Sequence, residues 1–302
     1  MRPLTRLIVA AVAAAAITAS AIPGAQAITG GERDGARHPN VAMLLFYGEE
    51  PGGLPQRFRC SGTLISPTVI LTAGHCTDGT VGKTLVFFDS VIAEEAPSEL
   101  PRAADDIEDP ATETFPGSAL GFTGAESGGK GRTAYFGTAF THPGYSNFTD
   151  RNDWNDVGVI VLSGLEPGIT PATLAPVNYL STFAQPALNK TLITFVGYGT
   201  EVRKPTSGPQ KPQPFSYPLV RRVTDANGQK LTDQIVQVNG NPSNVIGGGG
   251  TCFGDSGGPG FLNGFQVTVT SYGFTDNCRY IDGHQRVDIP VVHDWIAGFT
   301  AR

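Results

Sequence analysis

The stretch best suited to chemistry is Gly254-Asp255-Ser256-Gly257-Gly258-Pro259, a serine set among glycines. A hydroxyl becomes a nucleophile only when a base takes its proton. It also needs N–H groups aimed at the oxyanion it generates. Flanking glycines permit a tight turn and a close approach to substrate. The same pattern describes a plain glycine-rich turn, so the chain must also supply a base and a carboxylate. His75, in Thr72-Ala73-Gly74-His75-Cys76, closes a strand-like run and is a candidate base on a braced loop. Asp156 directly precedes the apolar run Val157 to Leu162 and is the candidate carboxylate. Asp153 is a rival with no strand beside it, and a solvated strand cap is the plain alternative for Asp156. His142, in the turn His142-Pro143-Gly144-Tyr145, reads as a surface or packing residue.

The three residues run in the order His, Asp, Ser, separated by 81 and 100 positions. An α/β-hydrolase carries the same serine motif in the order Ser, Asp, His. Only 46 residues follow Ser256, which leaves little room for the rest of such a sheet, although His284 and His293 are present. Alternating β/α patterning is absent as well.

The elements that must position these residues read as short strands. The apolar runs are 40–47, 60–65, 68–72, 84–88, 133–140, 157–162, 191–196, 234–238 and 265–272. Only 291–299 reads as helical. With 39 Gly and 23 Pro, the pattern is that of an all-β protein built as barrels or a sandwich. Residues 89–132 carry ten acidic groups among prolines and glycines and read as a long solvated insertion. A calcium loop is the alternative there, although no ligand spacing is diagnostic.

The first 27 residues have the form of a secretory signal peptide. Arg2 and Arg6 precede an apolar run, Leu7 to Ile17, too short to span a bilayer comfortably, and Ala25-Gln26-Ala27 is a cleavage site. Removing them leaves 19 Lys and Arg against 27 Asp and Glu, a formal charge of −8. Such a surface favours neither nucleic acid nor anionic membrane. An exported chain meets an oxidising compartment, so its four cysteines are expected to pair. Three connectivities are open; local pairing, Cys60–Cys76 and Cys252–Cys278, closes two short loops. No C-x-x-C spacing supports zinc.

These motifs together resemble the chymotrypsin/trypsin family of serine proteases. The resemblance rests on Ile28-Thr29-Gly30-Gly31, the run Cys60 to Cys76, Asp156, the Ser256 motif, Ser271-Tyr272-Gly273 and Asp294-Trp295-Ile296. It spans nearly all of residues 28–302, with Gly74 and Thr29 replacing the more usual alanine and valine. It implies two perpendicular six-stranded antiparallel β-barrels, about 28–165 and 166–290, and a C-terminal helix about 291–300. The cysteine pairs match two of the family's bridges.

The resemblance also implies a secreted endopeptidase, monomeric, needing no metal or organic cofactor and acting on protein or peptide substrates. Ser256 would be the nucleophile, His75 the base and Asp156 its orienting carboxylate. The N–H groups of Gly254 and Ser256 would form the oxyanion hole, and the amine of Ile28 would pair with Asp255. The specificity pocket would have Gly250 at its base and Ser271, Tyr272 and Gly273 on one wall. Asp282 is either a second, carboxylate wall or a solvated turn residue. Relatives that lost catalytic residues serve as binding proteins, and simple esters are hydrolysed incidentally. These are the competing functions.

Overall fold

The computed structural model describes residues 28–50, 54–94, 134–163, 167–183, 185–200 and 217–301. The signal peptide expected at 1–27 and nearly all of the acidic segment 89–132, with its calcium alternative, lie outside these residues.

The strands in chain order are β1 (Glu32–Arg33), β2 (Val41–Glu50), β3 (Leu54–Ser66), β4 (Val69–Thr72), β5 (Thr84–Phe87), β6 (Val91–Ala93), β7 (Ala134–Thr141) and β8 (Gly158–Ser163). The second half supplies β9 (Thr173–Leu174), β10 (Leu192–Gly197), β11 (Leu219–Val220), β12 (Arg222–Leu231), β13 (Ile235–Asn239), β14 (Pro259–Leu262), β15 (Phe265–Gly273) and β16 (Ile281–Arg286). Among the described residues, two α-helices, α1 (Gly74–Thr77) and α2 (Pro290–Thr300), and two 3-10 helices, Leu180–Phe183 and Leu188–Lys190, complete the set.

β2, β3, β4, β8, β7 and β5 close one six-stranded antiparallel barrel. β12, β10, β14, β15, β16 and β13 form a second, closed by the β12–β13 pairing. This is the architecture expected from the sequence. One boundary differs. β1 lies early in the chain yet pairs with β12 of the second barrel, Glu32 opposite Val223. The first residues therefore cross over to the far barrel.

The apolar run in β2 does not alternate with polar residues because both of its faces are buried. Ala42, Leu44 and Phe46 point into the first barrel with Leu64, Ile70, Val86 and Ile160. Val41, Met43, Leu45 and Tyr47 face the seam with Val196, Tyr198, Leu219 and Val223 of the second. Burial on both sides removes the need for a polar face. Helix α2 starts with proline at its first turn, where no intrahelical N–H bond is lost. It buries Val292 and Ile296 against Val69, Leu71 and Val269 and so ties the end of the chain across both barrels.

Candidate active site

His75 sits in α1, one residue before Cys76, and the Cys60–Cys76 bridge braces that turn against β3. Cys252 and Cys278 are also paired, as local pairing implied. Thiolate zinc ligands are therefore lacking in the one metal-like grouping among the described residues, Cys60, His75 and Cys76.

Asp156 is fully buried and meets His75 three times. It accepts from His75 N–H at 2.8 Å, and its Oδ2 and Oδ1 lie 2.9 Å and 3.2 Å from His75 Nδ1. A fourth bond comes from the Ser271 hydroxyl to Oδ2 at 2.6 Å. A buried carboxylate needs such donors to stay ionised. The rival Asp153 is exposed, so the chain brings Asp156 and not Asp153 to the histidine.

Local backbone aims Asp156. Asn155 adopts a left-handed φ of 42°, and Val157 N–H bonds back to Asn155 O at 2.7 Å, a tight turn centred on Asp156. That turn leaves the Asp156 N–H pointing outward. It donates to Gln285 Oε1 of β16 at 3.1 Å. Gln285 Nε2 in turn donates to Gln234 O and Oε1, and Gln234 Nε2 donates to Asn152 O at 2.9 Å. Two buried glutamines of the second barrel thus hold a loop of the first. Sequence reading missed both, because a polar residue in or beside a strand carries no spacing signal.

Ser256 lies on the turn Asp255–Gly258, where Gly254 and Gly257 take φ values of 95° and 75° that a side chain rarely tolerates. Among the described residues, the N–H groups of Gly254 and Ser256 donate no hydrogen bond, while the neighbouring Asp255, Gly257 and Gly258 N–H groups all do. Ser256 and His75 line one cavity of about 400 Å³, with Phe148, Thr251, Phe253, Thr270, Ser271, Tyr272 and Gly273. No hydrogen bond joins Ser256 Oγ to His75 Nε2 here. Free sites often hold this contact loosely until substrate arrives.

Two expected pocket residues, one at the base and one on a wall, stand behind the cavity rather than on it. Gly250 and Asp282 do not line it. Asp282 is 1% exposed, so it is no solvated turn residue. Its Oδ2 accepts from Thr251 N–H at 2.7 Å and Thr251 Oγ1 at 3.1 Å. Its Oδ1 faces Gly273, where an added Cβ would lie 3.6 Å away. The carboxylate therefore lies directly beneath two lining residues. A Cβ on Gly250 would come within 2.6 Å of Asp282 Oδ2, so a side chain at 250 and the carboxylate at 282 exclude one another. Burial pushes the Asp282 carboxyl up to about 7. Asp276, which sequence reading passed over, does line the cavity.

Asp255 is also buried, its oxygens accepting from Gly199 N–H at 2.7 Å and Cys252 N–H at 2.9 Å. Burial pushes its carboxyl up to about 7 against the pull of those bonds and of Arg59 and Arg222. Ile28 is fully buried and Thr29 pairs with Gly250, but with Ala27 attached the Ile28 nitrogen is an uncharged amide. His142 is buried against Trp295 at 5.0 Å, a packing residue as read.

A family model described as Trypsin matches residues 120–296. Brachyurin from Leptuca pugilator is 30% identical over 241 residues, which are 78% of this chain and 85% of that protein. A solved structure of HL collagenase aligns with a TM-score of 0.56 at 19% identity, covering 93% of this chain and 99% of its own. A structure of HBP aligns at 0.55 and 20% identity, covering 91% and 97%. At such identities the two structures speak for the fold.

Proposed function

The chain belongs to the trypsin family of serine proteases, and we propose that it is a secreted endopeptidase working through Ser256, His75 and Asp156. The observation that carries this reading is the pairing of His75 Nδ1 with buried Asp156 while Ser256 shares its cavity. In the reaction, His75 Nε2 takes the Ser256 proton as Oγ attacks the scissile carbonyl. The Gly254 and Ser256 N–H groups, which have no other partner among the described residues, receive the oxyanion. The imidazolium, steadied by Asp156, protonates the leaving amine. Water then attacks the acyl-enzyme by the same route in reverse.

Activation follows from Asp255. A buried carboxylate held, among the described residues, by two backbone N–H bonds and nearby guanidinium charge gains from an ammonium. Cleavage after Ala27 frees that ammonium on Ile28, which is already fully buried next to the Thr29–Gly250 bridge. Export itself would then yield the active form, with no separate precursor step. An active secreted protein starting at Ile28 supports this. A secreted, inactive form starting upstream would refute it, and a variant with one extra residue before Ile28 should be nearly inactive.

Specificity is mixed. Asp282 offers a carboxylate under the cavity for Arg or Lys, while the aromatic wall suits apolar residues. Asp282 ionises near 7, so cleavage after Lys relative to Leu should climb as pH rises through that value. In Asp282→Ala the climb should vanish and Arg/Lys cleavage weaken; unchanged profiles remove Asp282 from the pocket. Reaction of Ser256 with an organofluorophosphonate, followed by sequencing of fragments cut from a mixed peptide library, tests the whole reading. Failure to label would make the chain a binding relative.

A further inference from the structure

Trp154 stands two residues before Asp156 and takes part in two structures at once. Its indole Nε1–H donates to Ser271 Oγ at 3.0 Å. Ser271 Oγ donates to Asp156 Oδ2 at 2.6 Å. An indole N–H can only donate, and an ionised carboxylate can only accept. A serine hydroxyl has a single proton. With Trp154 feeding its lone pair, that proton has one destination, Asp156. The chain Trp154 to Ser271 to Asp156 is therefore directional, fixed at one end by a group that only donates and at the other by one that only accepts.

The same ring belongs to the cavity wall. Trp154 packs on Tyr272 at 5.3 Å and on Phe148 at 5.4 Å, and both of those residues line the cavity. Phe148 in turn lies 5.6 Å from the His75 ring. The turn at Asn155 fixes the Trp154 backbone beside Asp156, while the bond to Ser271 and the contacts with Tyr272 and Phe148 hold the indole ring itself.

We infer that Trp154 is a positioning residue that couples the aromatic wall of the cavity to the carboxylate behind His75, by locking the Ser271 hydroxyl onto Asp156. A peptide side chain that presses on Tyr272 and Phe148 holds the indole in place and with it the Ser271 proton. The coupling serves the peptidase reaction proposed above and rests on that reading.

A double-mutant cycle tests it. Trp154→Phe keeps an aromatic ring and removes the N–H. It should lower kcat roughly three- to tenfold, the size of one hydrogen bond, with KM for peptides little changed. In the Ser271→Ala background the same substitution should cost nothing further. Trp154→His, which returns a ring N–H, should recover part of the loss. The low-field proton resonance of His75 Nδ1–H should move in Trp154→Phe, and this measurement needs no turnover. An equal kcat loss in both backgrounds, a loss confined to KM, or an unmoved resonance would overturn the inference. An inactive wild-type protein would instead sink the peptidase reading while leaving the resonance to decide the role of Trp154.

Discussion

The two barrels share a strand count and differ inside. The first is filled with Ala42, Leu44, Phe46, Leu64, Ile70, Val86 and Ile160. The second has apolar residues too, but it also buries Gln266, Thr268, Asp282, His284, Gln285, Arg286 and Asp288. Most of these are partnered: Arg286 grips Asp288 with two nitrogens at 2.9 Å and also reaches Thr232 O and Ser181 Oγ. Burying such groups stabilises little by itself. What it supplies is direction. Ser271 and Gln285 grip the side chain and the backbone of Asp156, and both belong to the second barrel. The first barrel carries His75 and Asp156, the proposed base and its carboxylate, while the second carries the proposed nucleophile and decides where the carboxylate points.

That contrast can be broken from either side. The largest effect should come from Ser256→Ala in the second barrel, a fall in amide hydrolysis on the order of 10⁴–10⁶ with the melting temperature unmoved. Near wild-type peptidase activity in the purified variant would end the assignment. Leu44→Ala, in the apolar barrel, should lower unfolding free energy by about 2–5 kcal/mol in denaturant titrations. The pH profile of kcat/KM should stay in place, because no charge is disturbed.

Gln285→Leu should do the opposite. It strips the acceptor from a buried N–H, a cost of about 1–3 kcal/mol, and it should appear in kcat through Asp156. If kcat holds while stability alone falls, the glutamine is packing and not a clamp.

The last effect, small near neutral pH, concerns His284. Its ring stacks on Phe195 at 4.1 Å, and neither nitrogen has a partner among the described residues. Burial pushes it down to about 3 from an ordinary 6.5. The unfolded chain therefore binds the extra proton first. Stability should fall as pH drops below about 6.5 and stop falling near 3, at roughly 1.4 kcal/mol per unit between. His284→Phe should flatten that slope, measured as melting temperature from pH 7 to pH 5.5. A slope identical to wild type would show that the acid sensitivity lies elsewhere.

The same contrast explains how far the sequence could be read. Strands of the first barrel announced themselves, since 40–47, 68–72 and 157–162 are nearly unbroken apolar runs. β12, with the turn-like sequence Arg222-Val-Thr-Asp-Ala-Asn-Gly-Gln-Lys-Leu231, and β16, Ile-Asp-Gly-His-Gln-Arg, did not. Their polar residues look exposed until partners distant along the chain satisfy them. Asn227 Nδ2, for instance, donates to Asn189 O at 2.9 Å.

By itself the sequence determined the order of His75, Asp156 and Ser256, and its motifs, through the family they resemble, implied the cysteine pairing and the barrel count. These depend on residue type and on neighbours close along the chain or on several motifs in series. Tertiary structure alone decided which aspartate meets His75, that Asp282 lies under the cavity rather than in it, and that β1 belongs to the far barrel. It alone disclosed Gln234, Gln285 and Trp154 as holders of Asp156. The physical reason is that a hydrogen bond between residues 117 or 129 positions apart, as from Trp154 to Ser271 or Asp156 to Gln285, leaves no periodicity in the chain and exists only once both barrels have closed.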